Sequence, residues 1–456
     1  MSEFTLADRL AAYADELTFD DIDDDALRAT KDRLFDSLAT ATAAQTEASV
    51  QALKRFAAAR SAERTASVLG TDIETSVEDA AFANGGLIRY LDWNDTYLSK
   101  EPGHPSDNLG AVLTVCEAYD LTGRDALLGT VLAYELHCQL CNAASLRADG
   151  FDHVNYGLVS ATLAAGKLAG LSRDELVQAV NVAVNGHVAL RQARAGELTE
   201  WKGLAFGNVC RNAVVAIDLA REGIRGPHPI FEGEFGFFNQ LSGEFDLDPE
   251  TFGEDGYKIT ETYVKYYPVE YHAQAAVNCV FSIMERADFE WEEIERIKNE
   301  TYEAAVSIIV DEEKWRPETR ETADHSMPYC IARAFIDGEM GLSQFAPEKL
   351  TDSDVRSLMD RIDVVENEQY TAVYGEKFPH EMTVEVSGAT YTESVDFPKG
   401  HYRNPLSETE LVDKFSTAAS AGGADLSRSE VRDLYATVND LEDRESVRDL
   451  YTAMPP

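Results

Sequence analysis

The stretch DALLGTVLAYELHCQLCNAASLR, residues 125–147, is apolar on most of a helical circumference. A helix with no polar face has no side to turn to water, so it belongs in the middle of a domain. Residues 155–169 read the same way, and the two segments are expected to form the centre of one helical unit. Outward from them the 3.6-residue apolar period recurs over 5–17, 25–46, 49–59, 75–91 and 202–222. Ser106 or Asp107 caps a further helix that Gly123 is expected to end, and Ser172 with Glu175 forms a capping box that opens another. Inside the quoted stretch, Cys138 and Cys141 fall about one helical turn apart. They read as a packed apolar face; a metal or redox site is the alternative that a lone C-x-x-C offers.

The pattern changes near Tyr257. KITETYVKYY (258–267) and IERIKNETYEAAVSIIV (294–310) favour β-branched and aromatic residues, which suit strands. HEMTVEVSGATYTESVDF (380–397) alternates with a period near two and has glycine at its turn. Helices are expected between them at 321–336 and 352–361, and the helical pattern returns in SETELVDKFSTAAS (407–420) and SRSEVRDLYATVNDL (427–441). The expected fold is therefore mainly α: an all-helical domain built from both chain ends, 1–255 and 400–456, with a smaller α/β domain, 256–399, inserted.

Composition bounds the function. The 456 residues are 44% hydrophobic, as in a globular protein. No apolar run reaches the roughly 20 residues of a membrane span. The N-terminal MSEFTLADRLAAYADEL has acids where a leader has basic residues, so a cytoplasmic protein is expected. Eighty-two acidic residues against 40 basic ones give a net charge of −42. That field repels nucleic acid and anionic membranes. The excess is spread along the chain, which fits a halophilic protein whose self-repulsion is screened by salt; a merely acidic mesophilic protein is the alternative. No phosphate-binding glycine loop, zinc-protease helix or nucleophile elbow occurs. The six cysteines lack the spacing of a disulfide framework or an iron–sulfur site, and no cofactor is expected.

Four segments hold more reactive side chains than structure requires. LDWNDTYLSKEPGHPSDNLGA (91–111) carries Asp92, Asp95, Thr96, His104 and Asp107. GFDHVNYG (150–157) carries Asp152, His153, Asn155 and Tyr156 ahead of an apolar helix. ALRQARAGELTEWKG (189–203) carries Arg191, Arg194, Glu197 and Lys202. KYYPVEYHAQ (265–274) carries Lys265, Glu270 and His272, and DHSMPYC (324–330) adds Tyr329 as a weaker fifth. From Gly186 to Pro227 six basic residues outnumber four acidic ones, a cationic island in an acidic chain. An arginine there grips a carboxylate with two parallel hydrogen bonds and Lys202 acts as a point charge. His104 and His153 each stand just before an expected helix, where unpaired N–H groups attract anions. An imidazole in that position can exchange a proton with a bound acid near neutral pH.

Together DWNDTYLSKEPGHPSDNLGA, FDHVNYG, LRQARAGELTEWKG, GIRGPHPIFEGEFGFF and KYYPVEYHAQ resemble the MmgE/PrpD family, in consistent order through most of the chain. The resemblance implies a large helical domain, a smaller α/β lid and a homodimer. It implies an active site at Asp92, Thr96, His104, His153, Lys202, His272 and Tyr329. The dehydratase branch looks nearest, so the expected reaction is loss of water from a small tricarboxylate, 2-methylcitrate, to give 2-methyl-cis-aconitate in propionate breakdown by the methylcitrate cycle. In that reading Asp92, His104, His153, Lys202 and Tyr329 are catalytic, and Thr96, Arg191, Lys265 and His272 bind substrate. Lys202 and Arg191 stabilise the developing enediolate, and the two histidines share the acid and base roles. The same pocket also suits decarboxylation of cis-aconitate or epimerisation of an amino-dicarboxylate, reactions found in the same family. A helical dimer without chemistry is the alternative outside enzymes.

Overall fold

A computed structural model describes residues 4–60, 62–195 and 198–455. The chain is mainly α and divides into two compact units, one of residues 1–262 with 408–456 and one of residues 263–407. Both boundaries fall later in the sequence than the change of composition suggested.

The first unit is built around the helices Leu109–Ala118, Gly123–Ala143 and Gly157–Leu168, whose residues are buried almost throughout. This is the centre that residues 125–147 and 155–169 pointed to. Thr122 caps the helix Gly123–Ala143 with a capping box to Asp125. Gly123 therefore opens a helix instead of ending one, because Thr122 offers the first turn a side-chain acceptor. A Cβ at Gly123 would also lie 1.8 Å from the Leu441 carbonyl, so the C-terminal segment crosses at that point. Ser172 and Glu175 form the expected capping box. The unit is not purely helical, since Thr65–Ser67 pairs antiparallel with Glu74–Ser76 in a short ribbon.

Three glycines set the crossings that aim the site. A Cβ at Gly85 would stand 2.7 Å from the Cα of Gly207, and one at Gly110 would stand 2.6 Å from the Cα of Gly85. The helices Val77–Arg89, Leu109–Ala118 and Trp201–Arg221 therefore meet backbone to backbone. Their contact fixes the places where the first ends, at Arg89, and where the other two begin, after Asp107 and at Trp201.

The second unit holds a four-stranded sheet in the order Ile362–Glu366, Ile294–Thr301, His380–Val386, Ala389–Val395. The first pair is parallel and the others antiparallel. Ser387 and Gly388, both at positive φ, make the tight turn that the glycine signalled. The helix Tyr271–Met284 packs on the last two strands and against Met327–Asp337. Two expected strands change form. Residues 294–310 are strand only to Thr301, then helix over Glu303–Ile309. KITETYVKYY begins as a 3-10 turn, Lys258–Glu261. Its Lys258 N–H donates to buried Glu135 at 2.7 Å, and Arg33 donates to both the side chain and the carbonyl of Thr262. Those bonds take the backbone groups a strand ladder would need.

Candidate active site

In the first unit the chain leaves the helix Val77–Arg89 and turns at Asp92, whose φ of 53° is in the left-handed region. A non-glycine residue there is strained by about 1–3 kcal/mol, so surrounding bonds must hold it. They do: Arg89 donates to Asp92 Oδ1 at 2.5 Å and Lys202 donates to Oδ2 at 3.1 Å. Arg89 also faces Asp107 at 3.4 Å. Burial opposes its charge, but Asp92 and then Asp107 hold the guanidinium above its ordinary range. Lys202 lies in the first turn of Trp201–Arg221, where the helix dipole disfavours a cation. Its ion pair with Asp92 offsets that placement.

The loop after Asp92 is closed by a pair of backbone hydrogen bonds between Tyr97 and Gly103, both 2.9 Å. Glu101 ties it to the end of the central helix, accepting from the N–H groups of Leu146 and Arg147 and from Ser145. Thr96 is buried and its hydroxyl donates to the Gly103 carbonyl at 3.2 Å. His104 follows, with Nδ1 2.7 Å from the Asp95 carbonyl and Nε2 3.9 Å from Asp92 Oδ1. Since a carbonyl only accepts, His104 carries its proton on Nδ1. Pro105 opens the 3-10 turn Pro105–Asn108 and spares one of the unpaired N–H groups of a helix start. The Ser106 N–H is taken by Asp95 at 3.1 Å. Burial pushes the Asp95 carboxyl up and lifts Asp107 to about 7.

The second histidine has a parallel setting. Asp152 caps the turn His153–Tyr156, which runs into the helix Gly157–Leu168. His153 Nδ1 is 3.1 Å from Asp152 Oδ1, and Arg194 donates to Asp152 Oδ2 at 3.0 Å. The Arg194 loop is held there by the Arg191 N–H to the Gly150 carbonyl and the Asp152 N–H to the Ala189 carbonyl. Burial pushes the His153 imidazole down to about 3, against the pull of Asp152. Arg194, followed by His153, holds Asp152 below the carboxylate range despite burial. The rings of His104 and His153 are 5.7 Å apart, centroid to centroid.

The structure thus brings Asp92, His104 and Lys202 into one cluster and sets His153 beside His104. Arg191 is half-buried on the same loop as Arg194, with no side-chain partner among the described residues, and Glu197 lies outside those residues. In the second unit Lys265 and His272 are buried, and His272 Nδ1 is 2.6 Å from the Tyr302 hydroxyl. Tyr329 lies wholly in the core of that unit, against Phe345, with its hydroxyl donating to the Gln344 carbonyl at 2.6 Å. Its proton is already committed. Cys138 and Cys141 are buried free thiols, and burial pushes both well up, as the packed-face reading expects. Among the described residues no group of three His, Cys, Asp or Glu side chains is arranged to hold a metal ion.

Two residues escaped the reading of the sequence. Arg89 is the one basic residue of the largely buried helix Val77–Arg89; its signal was that a buried cation needs carboxylates, and Asp92 lies one turn on. Lys414 sits on the apolar face of Glu408–Ala421, pairs with Asp36 and donates to the Trp93 carbonyl at 3.0 Å. It latches the helix Glu408–Ala421 to the loop that carries Asp92.

The chain resembles known proteins over most of its length. The MmgE/PrpD N-terminal domain matches residues 8–250 and the MmgE/PrpD C-terminal domain matches residues 267–439. A 2-methylcitrate dehydratase of Cupriavidus necator is 30% identical over 381 residues, 77% of each chain. One from Escherichia coli (strain K12) is 28% identical over 372 residues, 76% of each. An alkylcitrate dehydratase from a fungal species is 31% identical over 381 residues, covering 76% of this chain and 74% of its own. The chain belongs to the MmgE/PrpD family.

Proposed function

We propose that the protein is a hydro-lyase that removes water from 2-methylcitrate to give 2-methyl-cis-aconitate. The observation that carries this reading is the pair of imidazoles 5.7 Å apart, one of them next to the Asp92–Lys202 ion pair. Dehydration of a hydroxy acid needs a base for a weakly acidic C–H next to a carboxylate. It needs an acid for the departing hydroxyl and a fixed positive charge for the developing enediolate. His104 and His153 supply the proton carriers, and Lys202 with Arg191 supplies the charge. Asp92 holds Lys202 and faces His104. The names of the relatives, 2-methylcitrate and alkylcitrate dehydratases, support this substrate class. His272 as a substrate ligand and a homodimeric state enter the proposal from the family resemblance, and Lys265 from its place in the same polar segment, KYYPVEYHAQ. Tyr329 is left out, because its hydroxyl serves the core.

The test is turnover of 2-methylcitrate by purified protein in high salt, with and without a chelator, followed by the ultraviolet absorbance of the new conjugated double bond. Equal turnover in both supports a reaction driven by the protein's own cations. No turnover, with NMR showing carbon dioxide release from cis-aconitate or inversion of an amino-dicarboxylate, replaces dehydration by one of those reactions.

A further inference from the structure

The two histidines do not have equivalent surroundings. His104 rests its Nδ1 on a neutral acceptor, the carbonyl of Asp95. His153 has its Nδ1 3.1 Å from a carboxylate oxygen of Asp152, whose second oxygen accepts from Arg194. A carboxylate oxygen this close to Nδ1 favours the tautomer that carries its proton there and leaves the lone pair on Nε2. Next to a lone carboxylate an imidazole also gains a proton readily. Here the Arg194 guanidinium cancels most of that charge, so Asp152 orients the ring without charging it. Two atoms of this group, His153 Nε2 and Arg194 Nη2, are buried without a hydrogen-bond partner among the described residues. A buried polar atom left unpaired is costly unless something else meets it.

We infer that His153 is the base of the reaction, its Nε2 lone pair aimed at the substrate C–H, and that Asp152 and Arg194 are the positioning residues that set this tautomer. The base role rests on the dehydration proposed above; the proton positions do not. In the step, the C–H bond breaks and its proton goes to His153 Nε2. Its electron pair becomes the carbon–carbon double bond, and the C–O pair leaves with oxygen. The oxygen takes a proton from His104 in its cationic form and departs as water. The low imidazole pKa of His153 agrees with a neutral base. The charged and titratable groups acting on its ring are Asp152, Arg194, Arg89 and His137, with His104 alongside.

Two measurements on the full chain test this. The first is the pH profile of kcat for the wild type, Asp152→Asn and Arg194→Met. Asp152→Asn lets an amide N–H face Nδ1, and a fall of about 10³–10⁴-fold is expected, as when a catalytic dyad loses its tautomer control. Arg194→Met leaves Asp152 uncompensated, so His153 holds its proton to higher pH and the acidic limb of the profile moves upward. A merely structural role would lower the rate without moving that limb, and that result overturns the inference. The second is ¹⁵N NMR of histidine-labelled protein at neutral pH, with His153 identified by its loss in His153→Gln. A neutral ring protonated on Nδ1, inverted in Asp152→Asn, supports the assignment. A proton on Nε2 in the wild type rejects it. If the wild type shows the expected tautomer but never dehydrates 2-methylcitrate, the proposed reaction fails and the positioning of His153 by Asp152 and Arg194 stands.

Discussion

Two buried lysines separate structural from chemical roles. Lys414 is 4% exposed, pairs with Asp36, and reaches the Trp93 carbonyl and the face of the Trp93 ring. Lys202 is 9% exposed and pairs with Asp92 at the start of a helix. Breaking a buried pair by removing one partner leaves a stranded charge and costs about 3–5 kcal/mol. Lys414→Met is therefore expected to lower stability by that amount, because Asp36 is wholly buried. The double variant Lys414→Met/Asp36→Leu should recover most of the loss, since neither charge then remains. Lys202→Met should cost less stability, because Arg89 still holds Asp92, while abolishing most turnover. Urea unfolding and kcat on the same four proteins check this. If Lys414→Met is as stable as the wild type, the latch between the helix Glu408–Ala421 and the Asp92 loop has no energetic weight.

At the scale of elements, the site is aimed by the glycine crossing. The helices that end at Arg89 and begin at Trp201 can come this close only because Gly85 and Gly207 lack side chains. A Cβ at Gly207 would meet the Phe82 carbonyl at 2.6 Å and the Gly86 nitrogen at 2.9 Å, both backbone atoms that cannot swing aside. Gly207→Ala is expected to push the helices apart at a cost of about 1–3 kcal/mol, as overpacking does. The shift also separates Lys202 from Asp92, so kcat should fall even where the protein stays folded. Gly170→Ala is the control, as no atom lies within 4 Å of a Cβ there; its own penalty comes from a φ of +80°. A Gly207→Ala protein with wild-type melting and kcat would remove the crossing from the account. These crossings also explain what the sequence could and could not say. Apolar periodicity gave the long helices because each buries one continuous face. The glycines were visible as residues, but their meaning lies in which helix each one meets. His104, His153 and Lys202 were legible because reactive groups stood where helices start. The link from Arg89 to Asp107, and the use of Asp152 and Arg194 together, were not, because those partners are 18 and 42 residues apart. KITETYVKYY misled because side chains from distant helices took over a backbone donor, the Lys258 N–H, and a backbone acceptor, the Thr262 carbonyl.

The whole molecule carries a net charge of −42, while the site described above gathers Arg89, Lys202 and Arg194 around a few buried carboxylates. The two facts pull on different lengths. The pairs in the site are in contact and mostly hidden from salt. The surface charges repel one another across many ångströms. The Debye length is about 10 Å at 0.1 M salt and about 3 Å at 1 M, so concentrated salt removes the long-range repulsion and leaves contact pairs largely intact. Self-repulsion destabilises a compact chain whose net charge is far from zero. The expected outcome is a melting temperature that climbs steeply between 0.1 and about 2 M KCl. KM for an anionic substrate should fall over the same range, as the field that repels it is screened. Sorbitol at matched osmolality separates screening from general exclusion of solute, because it raises stability without touching charge. A melting temperature that rises equally in both would trace the stabilisation to exclusion. One that stays flat in KCl would mean that the acidic surface is an ordinary solubilising coat and not an adaptation to brine.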